Sequence, residues 1–137
     1  MSKVILFTDG GARGNPGPAA SAYVALMDGL PILKKGDYLG DHLTNNHAEY
    51  EGLIRGLAAL IEGNITATDV EVKMDSELIV KQMRGEYRVK EAKMKIQNAR
   101  VQELLKSFGA VTFTHIPRSE NADADALVNE ALDAVLK

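Results

Sequence analysis

Residues 3–8 form an almost wholly apolar run (KVILFT), long enough for a buried strand and too short for a helix. Asp9 and the stretch GGARGNPGP follow, whose glycines and prolines predict that the strand ends at Asp9 and the chain turns. Apolar runs at about 19–27 and 30–39 flank Asp28-Gly29, a hairpin signal, so the first three strands read as an antiparallel meander. From Asn46 the period changes. Tyr50, Leu53, Ile54, Leu57, Leu60 and Ile61 recur at helical spacing, Gly63 supplies a stop, and Thr44, Asn45 or Asn46 supplies the cap. Residues 69–74 alternate as a strand that ends at Asp75, and Ser76 caps a short helix carrying Leu78, Ile79 and Met83 as far as Gly85. A longer helix over about 91–107 sets Met94, Val101, Leu104, Leu105 and Phe108 on one face. A fifth strand, 110–116, breaks at Pro117, and a last helix from about 122 to 136 turns Ala124, Leu127, Val128, Ala131, Leu132 and Val135 inward. The predicted order is βββαβααβα, an α/β layout with a mixed sheet covered by helices, read as one domain over residues 1–137.

Composition narrows the chemistry. A chain of 137 residues, 45% hydrophobic, fits one domain with a substantial core. The net charge of −3 argues against holding nucleic acid by bulk positive charge. The absence of cysteine excludes a disulfide scaffold, a thiolate zinc site, an iron–sulfur cluster and a thiol nucleophile. Without a membrane-length apolar run or a signal-peptide pattern, the expected setting is soluble and cytoplasmic. The glycine-rich loop lacks the Gly-Lys-Ser/Thr of a nucleotide loop and the spacing of a dinucleotide fingerprint, and His42, His47 and His115 lack zinc-site spacing.

The acids follow a positional pattern. Asp9 and Asp75 end two predicted strands; if those strands are parallel neighbours, both carboxylates emerge at one sheet edge. Glu49 and Asp125 fall in the first turns of two helices, which in α/β folds open at the carboxyl edge where ligands bind. Four convergent carboxylates repel one another unless cations neutralise them, and an oxygen-only site suits Mg²⁺ or Mn²⁺. Each acid also has an ordinary role, as a turn residue, a cap partner or a helix-dipole complement, and Asp123 competes with Asp125 on composition.

The contexts of these acids, FTDGGARGNPGPA, TNNHAEYEGL, KMDSELIVKQM and HIPRSENADADALVNEAL, occur in order along essentially the whole chain. Together they resemble the type 1 ribonuclease H family. That resemblance implies the ribonuclease H-like fold, a five-stranded mixed sheet with helices on both faces. It implies an endonuclease that hydrolyses the RNA strand of RNA–DNA hybrids, leaving 3′-hydroxyl and 5′-phosphate ends. Asp9, Glu49, Asp75 and Asp125 match the family's carboxylates for two Mg²⁺ ions, with Mn²⁺ as a substitute, and Asp9 matches the ligand common to both. His115 matches a histidine linked to proton transfer or product release. Gly11, Ala12, Gly14, Asn15, Asn45 and Asn46 match positions that contact the hybrid, and Thr44 matches part of a phosphate pocket for the DNA strand. Arg118 is placed to reach a phosphate near the cut, and Asn121 fits either a helix cap or a substrate contact. The chain departs from some bacterial members in having no basic, tryptophan-bearing helix after the short one, and from the position of Asp9 near the start a preceding hybrid-binding module is not expected. It resembles the compact form, expected to be a monomer, some of whose members also cut double-stranded RNA.

Positive charge is concentrated at residues 81–106, which carry eight basic and three acidic side chains and so hold +5 against −8 elsewhere. Lys90 and Lys93 in this stretch are expected to follow the DNA backbone. A solvated helix face is the plainer reading of the same pattern. A non-catalytic module of this fold is the alternative from another class, favoured if a carboxylate were missing; none is. A domain processed from a larger reverse transcriptase is a second alternative, disfavoured by the start and the final helix.

Overall fold

A computed structural model describes residues 3–66 and 69–136. The strands are β1 (Lys3–Ala12), β2 (Gly17–Met27), β3 (Leu30–Leu43), β4 (Asp69–Met74) and β5 (Ala110–His115). The helices are α1 (Asn45–Glu62), α2 (Glu77–Met83), α3 (Ala92–Leu105) and α4 (Ala122–Val135), with a 3₁₀ turn at Arg118–Glu120. The predicted order holds.

The strands form one sheet in the order β3-β2-β1-β4-β5, antiparallel across the first three and parallel from β1 to β5. Asp28 and Gly29 both take positive φ, the geometry a tight hairpin requires. The glycine-rich segment departs from expectation. Strand β1 does not stop at Asp9 but runs to Ala12, held by antiparallel pairing with β2 as far as Ala12 opposite Ala19, and the chain turns only beyond it. Backbone pairing outweighs the turn preference of Gly10 and Gly11.

On one face, Val4, Leu6, Val70, Val72 and Met74 pack against Tyr50, Leu53, Leu57 and Leu60 of α1, with Ile79 of α2 and Val101 of α3 completing the core. Each such buried aliphatic contributes about 1.5–3 kcal/mol relative to exposure. On the other face, Ala20, Ala22 and Val24 carry Ala124, Val128 and Leu132 of α4. The small alanines let α4 sit close. Val135, expected to face inward, is half exposed because the helix runs past the edge of this cluster. In α3 the buried face includes Gln97, whose amide donates to the His47 carbonyl oxygen and to Glu51. Eight residues join α2 directly to α3, so no basic helix intervenes.

Candidate active site

Strand β4 stops at Met74, level with Thr8, while β1 continues, so Asp9 and Asp75 emerge side by side at the carboxyl edge of the parallel pair. Helix α1 brings the third acid. A Cβ on Gly10 would lie 2.2 Å from the Ala48 backbone carbon, and one on Gly52 would lie 2.5 Å from the Asp9 carbonyl oxygen. Only glycine at both positions lets the helix backbone rest on β1, which carries Glu49 onto Asp9. Thr44 caps this helix by accepting from the His47 N–H at 3.1 Å. Glu49 therefore lies in the second turn, not the first, and is buried rather than solvated at the helix end.

The fourth acid comes from α4. Buried Asn121 does not cap this helix with its side chain; its Nδ2 donates to the Thr8 carbonyl oxygen at 2.9 Å. That bond ties the start of α4 to β1 one residue before Asp9, so Asp125 faces the same cavity. Asp123 is exposed and lines a separate cleft near Phe7, which separates the two candidates.

Carboxylate oxygens of Asp9, Glu49 and Asp75 lie within 4.8 Å of one another. They open into a cavity of about 450 Å³ also lined by Gly11, Ala12, Asn45, Arg118 and Asp125. Burial, with repulsion from Asp75, pushes the Asp9 carboxyl up to about 7. Burial drives Glu49 well above the usual carboxylate range, and Asp9 and Asp75 add to the rise. Asp75 is raised too, chiefly by burial; Arg118 opposes the rise and Asp125 adds to it. Glu49 Oε1 is buried without a hydrogen-bond partner among the described residues. A hard divalent cation fits this site: it takes oxygen ligands, relieves the repulsion and gives Glu49 Oε1 a partner. Asp125 stands outside the triad and accepts from Arg118 Nη2 at 3.2 Å.

The remaining predicted residues divide by location. Gly11, Ala12, Asn45 and Arg118 share the carboxylate cavity. Asn45 Oδ1 accepts from the Ala12 N–H at 2.8 Å, and the Asn45 N–H donates to Asn15 Oδ1 at 3.0 Å. The amide oxygens of both asparagines thus pin the β1–β2 loop to α1. Gly14, at φ +87°, shapes that loop. Asn46 lines neither the carboxylate cavity nor the one beside it. Thr44 and Lys93 line that second cavity, about 480 Å³, with His42 and His47 between α1 and α3, whereas Lys90 is exposed on the approach to α3. His115 is exposed at the end of β5, in register with Met74 and outside the carboxylate cavity. Sequence reasoning overlooked Arg13 and Asn129, which also line that cavity. Asn129 was legible one helical turn beyond Asp125, and Arg13 as the cation inside the glycine-rich loop.

Residues 7–131 match the family described as Reverse transcriptase-like. The chain is 41% identical over 132 residues to Ribonuclease HI of Halobacterium salinarum, covering 96% of this chain and 65% of that protein. It is 40% identical to a bifunctional protein of Mycobacterium tuberculosis, covering 96% of this chain and 36% of that one. It thus spans less than two thirds of the length of these curated relatives. Among solved structures it resembles LC11-RNase H1, crystallised in complex with an RNA/DNA hybrid, at 45% identity and TM-score 0.93, covering 98% of this chain and 99% of that one. The fold and the acidic cavity define a member of the reverse transcriptase-like family, and within it the chain belongs to the type 1 ribonucleases H.

Proposed function

We propose that this protein hydrolyses the RNA strand of RNA–DNA hybrids, leaving 3′-hydroxyl and 5′-phosphate ends, as a monomeric cytoplasmic catalytic domain spanning residues 1–137. The observation that carries this reading is the convergence of Asp9, Glu49 and Asp75 on one point, with a buried Glu49 oxygen lacking a partner among the described residues. Asp9, Glu49, Asp75 and Asp125 would hold two Mg²⁺ ions, or Mn²⁺ in their place. Bound there, the ions supply activation of the attacking water and neutralisation of charge on the leaving 3′-oxygen.

The chain's own groups orient and select. His115, exposed at the end of β5 one strand from Asp75, would assist proton transfer or product release. Arg118, with 78% of its side chain exposed, forms only a weak solvated pair with Asp125 and would exchange it for a phosphate of the cut strand. The small Gly11 and Ala12 let the backbone approach the minor groove, where the 2′-hydroxyl distinguishes RNA from DNA. The NH₂ groups of Asn15, Asn45 and Asn46 supply donors toward the hybrid, and Gly14 keeps the loop close to it. Thr44, Lys93 and Lys90 receive the DNA strand.

The test compares cleavage of end-labelled hybrid, double-stranded RNA and single-stranded RNA under Mg²⁺ and under Mn²⁺. Hybrid should be cut in both metals and single-stranded RNA in neither; cutting of double-stranded RNA would add a substrate. Equal cutting of all three would overturn the hybrid assignment.

A further inference from the structure

Helix α4 carries a polar row at four-residue spacing, Asp125, Asn129 and Asp133, and both ends of the row hold an arginine from elsewhere in the chain. Arg118 Nη2 meets Asp125 Oδ1 at 3.2 Å. At the other end Arg13, from the loop after β1, places Nη2 2.7 Å from Asp133 Oδ1 and 3.3 Å from Asn129 Oδ1. Asn129 is itself oriented, its Nδ2 donating to the Asp125 carbonyl oxygen at 3.1 Å. Arg13 and Asn129 line the carboxylate cavity together with Asp9, Glu49 and Asp75, so the Arg13 link forms part of its wall.

The link is built to exchange. Arg13 and Asp133 retain 41% and 67% of their side-chain exposure, and an ion pair so open to water contributes little. A phosphate diester offers the same guanidinium a planar, charge-assisted pair of acceptors. Asp133 therefore occupies Arg13 with a charge of the same sign as a phosphate's, in a pair weak enough to be exchanged.

Resting on the functional reading above, we propose that Arg13 is a substrate-binding residue, which exchanges Asp133 for a backbone phosphate of the strand seated over the carboxylates. Asp133 is its intramolecular competitor. Three consequences follow for steady-state cleavage of hybrid in Mg²⁺. Asp133→Ala lowers KM by up to about fivefold, the worth of an exposed ion pair, with kcat unchanged. Arg13→Ala raises KM by about tenfold and reduces the dependence of log KM on log salt by about one contact. In the Arg13→Ala background, Asp133→Ala has no further effect.

Glu130→Ala provides the baseline, because it removes the same charge from an exposed site on the same helix with no arginine partner among the described residues. Asp133→Ala and Glu130→Ala lowering KM equally, or an Asp133 effect that persists without Arg13, would overturn the proposal in favour of general charge repulsion. A wild-type protein that neither binds nor cuts hybrid would overturn the functional reading itself. That failure is distinguishable, because it appears before any substitution is made.

Discussion

The carboxyl of Asp9 moves from 3.8 to about 7 on folding because it is buried and faces Asp75. Between those two pH values the folded protein holds a proton that the unfolded chain has released, so stability falls as pH rises through the window and levels off above it. In metal-free buffer, thermal unfolding should show a decline between about pH 4 and 7, on the order of 2–4 kcal/mol. Asp9→Asn should remove the Asp9 share of this decline, leaving that of buried Glu49, and raise the metal-free Tm near pH 7 by several degrees. A pH-independent Tm in the wild type would mean that the carboxyls do not crowd one another. Protons and metal compete for the same oxygens, so Mg²⁺ affinity measured by calorimetry should weaken as pH falls below about 7. The candidate acids were legible as residues from their motif contexts, but the burial of Glu49 was not. A helix-end reading put it in the first turn, and only the close approach of α1 to β1 places it under the protein surface.

That approach belongs to the scale of elements. Two glycines, one on each partner, substitute for side chains that would hold α1 off β1. The atoms a new Cβ would meet are backbone, so Gly10→Ala must shift the helix. It should destabilise the fold by about 1–3 kcal/mol, read by denaturant unfolding, and weaken metal binding by more than the stability loss alone explains, since Glu49 moves with α1. A fully stable variant with unchanged metal affinity would contradict this account of the site's construction. The element order was readable from period and turn chemistry, because alternation and helical spacing are local properties, whereas the parallel pairing of the Asp9 and Asp75 strands entered the sequence reading only as a condition and is supplied by the sheet. What escaped is set by pairing across the sheet. The continuation of β1 through Gly10 and Gly11 depends on β2, and the role of Asn121 depends on a Thr8 carbonyl oxygen that is distant in sequence.

For the molecule as a whole, the net −3 hides a division of labour. Of the eight basic residues in 81–106, Lys81, Arg84, Arg100 and Lys106 are engaged with Glu77, Glu86, Glu51 and Glu103. Arg88, Lys90, Lys93 and Lys95 are exposed and make no ion pair among the described residues. The positive charge left unpaired among the described residues therefore lies between α2 and the first turn of α3, beside the cavity that holds Thr44. Lys90→Ala combined with Lys93→Ala should weaken hybrid binding and lower its salt slope by roughly two contacts, whereas removing the paired Lys106 should leave the slope unchanged. Equal slopes for all variants would return the segment to a solvated surface.

The central claim is that an acidic cavity, completed by divalent cations, cuts the RNA strand of a hybrid. Its most direct test sets wild type beside Asp9→Asn on an end-labelled RNA–DNA hybrid in Mg²⁺, with folding checked by circular dichroism. Cleavage of the RNA strand by the wild type, to fragments bearing 3′-hydroxyl and 5′-phosphate ends, and its loss in an equally folded Asp9→Asn protein is the predicted result. Undiminished cleavage by Asp9→Asn, or none by the wild type, would contradict it.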